Sequence, residues 1–327
     1  MNPASVDVPA RRRRCADWRA AAAVLLLSVS PAAAEPVLIG ERGERGFGVG
    51  QFDGVTGNAV NAGDTLYVAD HHRHRITMFN AQGQPLGVWG SPGSGPGELL
   101  VPVALAVDAR GDVYVSDQDN HRIQRFTPGG SFVAALGDSG NGPGQFVYPS
   151  GICLTPDRQL YVADSGNRRI QQFDWSGAAP VFVRAFGSAS VLNSPNDIGL
   201  DTNGFAFVTD LAAHLVHKFS PTGAWLTSWG GEGTEPGQFT APFDVVVDGT
   251  TLHVSDSLNG RVQIFDLNGV FRSAWPSSFI PGPTRMTLGA NRRLYVTAAL
   301  AWRVLVYQLE PVSVQRTSWS NAKGAYR

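Results

Sequence analysis

Cysteine is nearly absent from this chain: its 327 residues hold two, Cys15 and Cys153. Cys15 precedes a segment expected to be cleaved, so the remaining chain has one thiol and forms no internal disulfide. Cys153 stands inside an apolar run and reads as inert packing. A Cys pair at metal spacing and a Gly-x-Ser-x-Gly nucleophile elbow are both missing. The Gly/Pro linkers lack the lysine and following helix of a phosphate loop, which leaves them as turns. Beyond the first 34 residues no stretch keeps a helical period over an ordinary helix length. No run there is long and apolar enough to cross a bilayer.

Charge is scarce too, at 16% of residues, and its distribution is informative. Arg11 to Arg14 and Arg19 precede the apolar run Ala20 to Val29, and Ala32-Ala33-Ala34 stand before Glu35. The order basic, apolar, small is that of a secretory signal with cleavage after Ala34. Cys15 lies before the apolar run, away from the cleavage point, which disfavours a lipoprotein anchor. Export to the periplasm or the medium is therefore expected. Removing this leader leaves 26−5=21 basic and 27−2=25 acidic residues, a net charge near −4. A mildly acidic exported protein is a poor general binder of nucleic acid.

What fills the rest is one repeat. Leu66-Tyr67-Val68-Ala69-Asp70 returns as Val113 to Asp117, Leu160 to Asp164, Phe205 to Asp210, Leu252 to Asp256 and Leu294 to Ala298. The closing residues are spaced by 47, 47, 46, 46 and 42 positions. Each repeat holds four short runs rich in β-branched and aromatic residues, fenced by Gly, Pro, Asn and Asp, and these read as strands. A self-similar period of this length built of strands predicts propeller blades. Nine residues after each closing position stands an aromatic: Phe79, Phe126, Phe173, Phe219, Phe265 and Tyr307. These are expected between blades, each contributing roughly 1.5–3 kcal/mol. An open array would expose two sheet edges, so the six repeats should close into a ring. The last repeat stops at its third strand, Val304 to Tyr307, while Val37-Leu38-Ile39-Gly40 matches fourth strands such as Val88-Trp89-Gly90. The expectation is an all-β, six-bladed propeller over residues 35–310, closed by an N-terminal strand that completes the last blade. A polar tail, 311–327, follows.

The segment Leu160-Tyr161-Val162-Ala163-Asp164-Ser165-Gly166-Asn167-Arg168-Arg169-Ile170-Gln171-Gln172-Phe173 resembles an NHL repeat. So do Asp117 to Ile123 and Asp256 to Val262, together with the linkers Gly140 to Phe146 and Gly233 to Phe239. The resemblance covers about residues 35–310 and implies a six-bladed propeller. Blades four and six depart from it, with Leu215 in place of the arginine and Ala298 in place of the closing aspartate. Activities in the family vary, so the resemblance implies architecture more than function.

Within each repeat an aspartate and an arginine recur together: Asp70 with Arg75, Asp117 with Arg122, Asp164 with Arg169, Asp256 with Arg261. Their expected role is to stabilise the turn between second and third strands. His71, His72 and His74 crowd the first of these turns, and His121 and His214 occupy the place of His74 in other blades. Equivalent residues far from the ring axis stand too far apart for one ion with bonds of about 2.0–2.1 Å. Near the axis the equivalent positions are Gly57, Ala104, Gly151, Asp197, Asp244 and Arg285. Two carboxylates and a guanidinium in consecutive blades form either a self-satisfied trio or a site. As a site, Asn196, Asp197 and Asp244 offer oxygen ligands to a hard cation such as calcium, or Arg285 holds a substrate carboxylate.

Two enzyme families sharpen this. Pro195-Asn196-Asp197-Ile198 resembles an inner-strand motif of gluconolactonase-like propellers, where the resemblance implies a metal-binding asparagine; the neighbouring places hold Phe243 and Thr284. The amidating-lyase propellers place zinc-binding histidines on inner strands, where this chain has Ser150, Asn196 and Phe243. Two functions are therefore carried forward. The first is a module that binds a protein, peptide or cell-envelope glycan through the face presenting His71, His72, Arg73, His74, Asn120, His121, Asn167, Arg168, His214 and Trp302. The second is a metal-dependent lyase or hydrolase at the central channel, using Asn196, Asp197, Asp244 and Arg285, with calcium or another divalent cation as cofactor.

Overall fold

Short β-rich runs joined by tight turns close into a ring in the computed structural model, which describes residues 36–275 and 280–309. The expected leader, 1–34, and the expected tail, 311–327, lie outside the described residues. Six four-stranded antiparallel sheets follow one another. Their innermost strands are Val55–Val60, Pro102–Val107, Pro149–Leu154, Pro195–Leu200, Pro242–Asp248 and Pro283–Leu288. In five of the six blades a proline opens the inner strand, the place in a sheet where a missing N–H is tolerated.

The sixth blade contains three consecutive strands and takes its fourth from the other end of the chain. Strand Val37–Arg42 pairs antiparallel with Arg303–Gln308, matching Val37 with Gln308 and Arg42 with Val304. The closing strand expected from the sequence is thus present and runs two residues further. A bulge lies between Leu38 and Gly40. The six recurring aromatics, Phe79 through Tyr307, are all essentially buried and belong to the clusters that fill the blades and their interfaces.

Neighbouring blades are also stitched by hydrogen bonds close to the axis. Thr56 donates to Pro102 O, Ser116 to Pro149 O, Ser150 to Asn196 O and Asn196 to Phe243 O. Ser255 donates to Thr284 O, and Asn58 closes the circle on Arg285 O. Every blade junction therefore satisfies a backbone carbonyl where the strands converge and water is excluded, which leaves no such acceptor orphaned at these points.

Deleting Val37–Arg42 uncovers the flank formed by Val304, Val306 and Tyr307. A loss of about 4 kcal/mol is expected, lowering the thermal midpoint by about 10 °C. Calorimetry of the truncated protein checks this, and an unchanged midpoint refutes closure by that strand.

Candidate functional site

In five of the six blades the turn between second and third strands is built around a fully buried aspartate, Asp70, Asp117, Asp164, Asp210 or Asp256. In blade two, Asp117 accepts from Leu100 N at 2.6 Å through Oδ1. Its Oδ2 accepts from Arg122 Nε at 2.7 Å, Asn120 Nδ2 at 2.8 Å and Gln124 Nε2 at 3.0 Å. Arg122 then reaches the carbonyls of Ser94, Gly95 and Glu98 in the incoming linker. Asp164 with Arg169 and Asp256 with Arg261 repeat the arrangement at 2.8 Å, and Asp70 with Arg75 is looser at 3.4 Å. The carboxylate ties linker, turn and third strand into one unit, so the Asp–Arg spacing has the structural meaning read from it. Blade four lacks the arginine, and there His217 Nε2 lies 3.6 Å from Asp210 Oδ2. Asp210 is pushed up by its burial but ends below the usual carboxylate range, through His217 and the N–H groups of Asn193, Ser194 and Ala213.

Several of the face residues named from sequence belong to this framework. Asn120 and Asn167 each hold a linker carbonyl, that of Gly93 or Gly140, and the buried aspartate. His74, His121 and His214 stand at left-handed corners, φ 53°, 54° and 57°. Their Nδ1 atoms accept from Val101 N, Tyr148 N and Ala241 N of the next linker. Each of these histidines serves its own junction, and they do not converge. His71 and His72 lie against the carbonyls of Gly54 and Asp53. Burial and the neighbouring His72 hold His71 below the ordinary histidine value. Arg168 occupies the same corner in blade three and is exposed. Trp302 occupies it in blade six, half-buried beneath Arg45 at 4.7 Å.

The axial residues do come together. Arg285 reaches from blade six across the axis, donating to Ser150 Oγ of the opposite blade three at 3.0 Å and to Asn196 O of blade four at 3.2 Å. Its Nη1 lies 2.6 Å from Asp197 Oδ1, and its guanidinium stands 5.1 Å from the Phe243 ring centroid. Asp244 accepts from Met286 N at 2.5 Å and pairs with Asp197. Its burial, then the adjacent Asp197 charge, raise its carboxyl well above the ordinary range. Gly151 makes room for the group: a Cβ there would stand 2.0 Å from Asp197 Oδ1. On the side away from the linkers lies an axial cavity of about 380 Å³ lined by all six inner strands. Cys153 is partly accessible as a residue, yet its thiol is enclosed and pushed up to about 12 by burial and by Asp197.

This donor set does not fit a hard cation. Asn196 spends its amide on Ser150 and Phe243 O, Arg285 places a positive charge beside Asp197, and calcium needs about 6–8 oxygens. Among the described residues no three His, Cys, Asp or Glu side chains converge as a metal group. The sequence reading missed Asn58, Ser150 as partner of Arg285, and the space below. Only the alignment of inner strands in three dimensions reveals them.

A carboxyl raised on folding stabilises the native state fully below about pH 4, and that contribution is lost as pH rises through the raised value. The thermal midpoint should therefore show a component that falls across that window. Asp244→Asn keeps an acceptor for Met286 N and a donor toward Asp197, so its midpoint should lack that component; an unchanged slope counts against the pairing. Gly151→Ala should lower stability by about 1–3 kcal/mol in urea titration through overpacking against Asp197.

The family model for the NHL repeat matches residues 99–126 and 146–173. The mouse peptidyl-glycine alpha-amidating monooxygenase is 35% identical over 107 residues, which span 27% of this chain and 11% of that protein's length. Among solved structures, a catalytically inactive virginiamycin B lyase from Staphylococcus aureus with quinupristin superposes with a TM-score of 0.56 at 13% identity, covering 79% of this chain and 95% of that one. A gluconolactonase from Xanthomonas campestris gives 0.62 at 18% identity, covering 80% and 87%. These structural likenesses concern the fold. With six four-stranded blades and the ring closed by its first strand, the chain is a six-bladed β-propeller that carries NHL repeats at residues 99–126 and 146–173.

Proposed function

We propose that this propeller is a binding module, and that its linker face takes a protein or peptide segment presenting apolar side chains and carboxylates. One observation carries the reading. The three most exposed large apolar side chains among the described residues are Leu258 at 75%, Leu300 at 71% and Phe47 at 67%. All three lie on this face, on the turns of blades five and six and the linker entering blade one, which are consecutive around the ring.

The repeat explains why those places are available for recognition. Aspartate, asparagine and arginine of the turn are consumed by the framework, whereas its exposed tip varies from blade to blade: His72, Asp119, Gly166, Ala212, Leu258, Leu300. Except at Gly166, where a Cβ would meet Val147, the tip side chain is not part of that framework, and large apolar side chains exposed together on one face suit a partner that covers them. Arg73 stacks on Phe47 at 3.8 Å and Arg45 on Trp302, which places cations beside the apolar ridge and favours acidic neighbours in the partner. Trp302 is half-buried beneath Arg45, which disfavours a sugar that would need that ring's face. Against the metal-assisted lyase or hydrolase stands the guanidinium of Arg285 among its intended ligands. The lyase and gluconolactonase named among the structural likenesses supply the fold for that alternative and none of its residues.

Panning a displayed peptide library on the immobilised protein tests the proposal. Enriched peptides should combine apolar and acidic residues and lose at least about tenfold in affinity, 1.4 kcal/mol or more, to the double variant Leu258→Asp, Leu300→Asp. Arg168→Glu should weaken them less. Peptides indifferent to the double variant overturn the choice of face.

A further inference from the structure

The linker entering blade one is fastened less firmly than its counterparts. In blade two, Asn120 Nδ2 donates to Gly93 O, and Arg122 donates to the carbonyls of Ser94, Gly95 and Glu98. Gly97 N donates to Gln124 Oε1, and Gln124 Nε2 donates to Glu98 O. Blade three repeats every one of these bonds with Asn167, Arg169 and Gln171. Blade five does so with Asn259, Arg261 and Gln263. In blade one Arg73 stands in the asparagine's place and Thr77 in the glutamine's. Of the three framework side chains that leaves Arg75, which holds Gly48 O and Gln51 O.

The atoms left behind show the same loss. Asp70 and Thr77 are fully buried, and neither Asp70 Oδ2 nor Thr77 Oγ1 has a hydrogen bond among the described residues. Gly50 keeps the left-handed φ of Gly97, Gly144 and Gly237, 84° beside 84°, 78° and 86°, without the glutamine that accepts from those three. Arg73 stacks on Phe47 instead of holding a linker carbonyl. The segment's own bonds are kept: Gly46 N donates to Phe52 O, and Phe47 N and Gly48 N donate to Gln51 Oε1. It is a knit unit on a weak mount. Blade four lacks the same partners, yet its linker exposes no large apolar side chain, whereas this one carries Phe47 at 67% and Val49 at 54%.

We propose that residues 46–50 are an adjustable element of the linker face: they lift from blade one as a unit, and a partner that covers Phe47 and Val49 fixes them. The inference rests on the linker face being where a partner binds. Glycine supplies the turning points at both ends. At Gly43, φ 85°, a Cβ would fall 2.1 Å from the Phe52 ring, and Gly50 stands at φ 84°, so neither place admits a side chain without strain. Phe52 is fully buried and holds the base of the segment in the blade. Local opening belongs to backbone with few ties to its surroundings, and a ligand that touches the docked position shifts the population toward it. Blades two, three and five present linkers set by folding, while the first linker adjusts to the shape of what it meets.

Hydrogen exchange of the full chain, read by mass spectrometry on segments 43–51, 90–98, 137–145 and 230–238, tests this. Corrected for intrinsic rates, the first should exchange at least about tenfold faster than the other three. Thr77→Gln, at a buried position no partner touches, supplies an acceptor for Gly50 N and a donor toward Gln51 O and Asp70 Oδ2. It should slow segment 43–51 by at least about tenfold and leave the others unchanged. The most enriched peptide from the panning should slow the same segment in the parent protein. Equal exchange of the four segments overturns the proposal. So does an unslowed segment 43–51 in the peptide complex, or in a Thr77→Gln protein that keeps its thermal midpoint. The comparison of segments needs neither variant nor peptide, so it decides the motion even where Thr77→Gln fails to fold or the panning enriches nothing. A rigid segment, in turn, leaves the choice of face standing.

Discussion

Closure is the constraint on which this molecule depends. A four-stranded blade has two faces to bury and gains both neighbours only when the ring is complete. Pairing of Val37–Arg42 with Arg303–Gln308 supplies the last edge. Once the circle is shut, six inner strands converge, and the side chains they present must satisfy one another. The circuit of hydrogen bonds from Thr56 round to Asn58 follows from that convergence. So does the reach of Arg285 to Ser150 on the opposite blade, a contact that an open arc would forbid.

The repeat divides labour between residues that recur and residues that differ. In blades two, three and five the aspartate of the turn, with its arginine, asparagine and glutamine, fixes the linker to the strand it precedes. That network accounts for the polarity of a face that would otherwise look designed for ligands. Blade four departs from this: with Leu215 where the arginine stands elsewhere, His217 takes the glutamine's place and its Nε2 lies 3.6 Å from Asp210 Oδ2. Blade six has Ala298 instead of the aspartate, and there the incoming N-terminal strand covers the neighbouring third strand. What differs between blades then stands out as the turn tips and the axial third positions.

Much of the fold was legible because it is periodic. The spacing of Asp70, Asp117 and Asp164, the aromatics nine residues on, and the orphan strand at Val37 each state the architecture locally. The site was legible only in part. His74, His121 and Asn120 looked like ligands because sequence displays residue type but not the left-handed corner and linker N–H that occupy each histidine, or the linker carbonyl that takes the asparagine's amide. Asp197, Asp244 and Arg285 were found by aligning inner strands, but the contact of Ser150 with Arg285 and the bonds of Asn58 were not, since nothing local marks a partner half a ring away or across the closing junction. Leu258, Leu300 and Phe47 escaped because an apolar residue in a turn is not conspicuous until its neighbours are shown to leave it uncovered.

The latch also sets an order of events in the making of the molecule. The segment beginning at Val37 is synthesised before any of the six inner strands, whereas its partner around Gln308 follows all of them. Blades of local antiparallel hairpins can form as the ribosome delivers them, but the final docking joins the most distant parts of the chain. Contacts of such long sequence separation form slowly, and an unpaired strand edge waiting for them invites association with other chains.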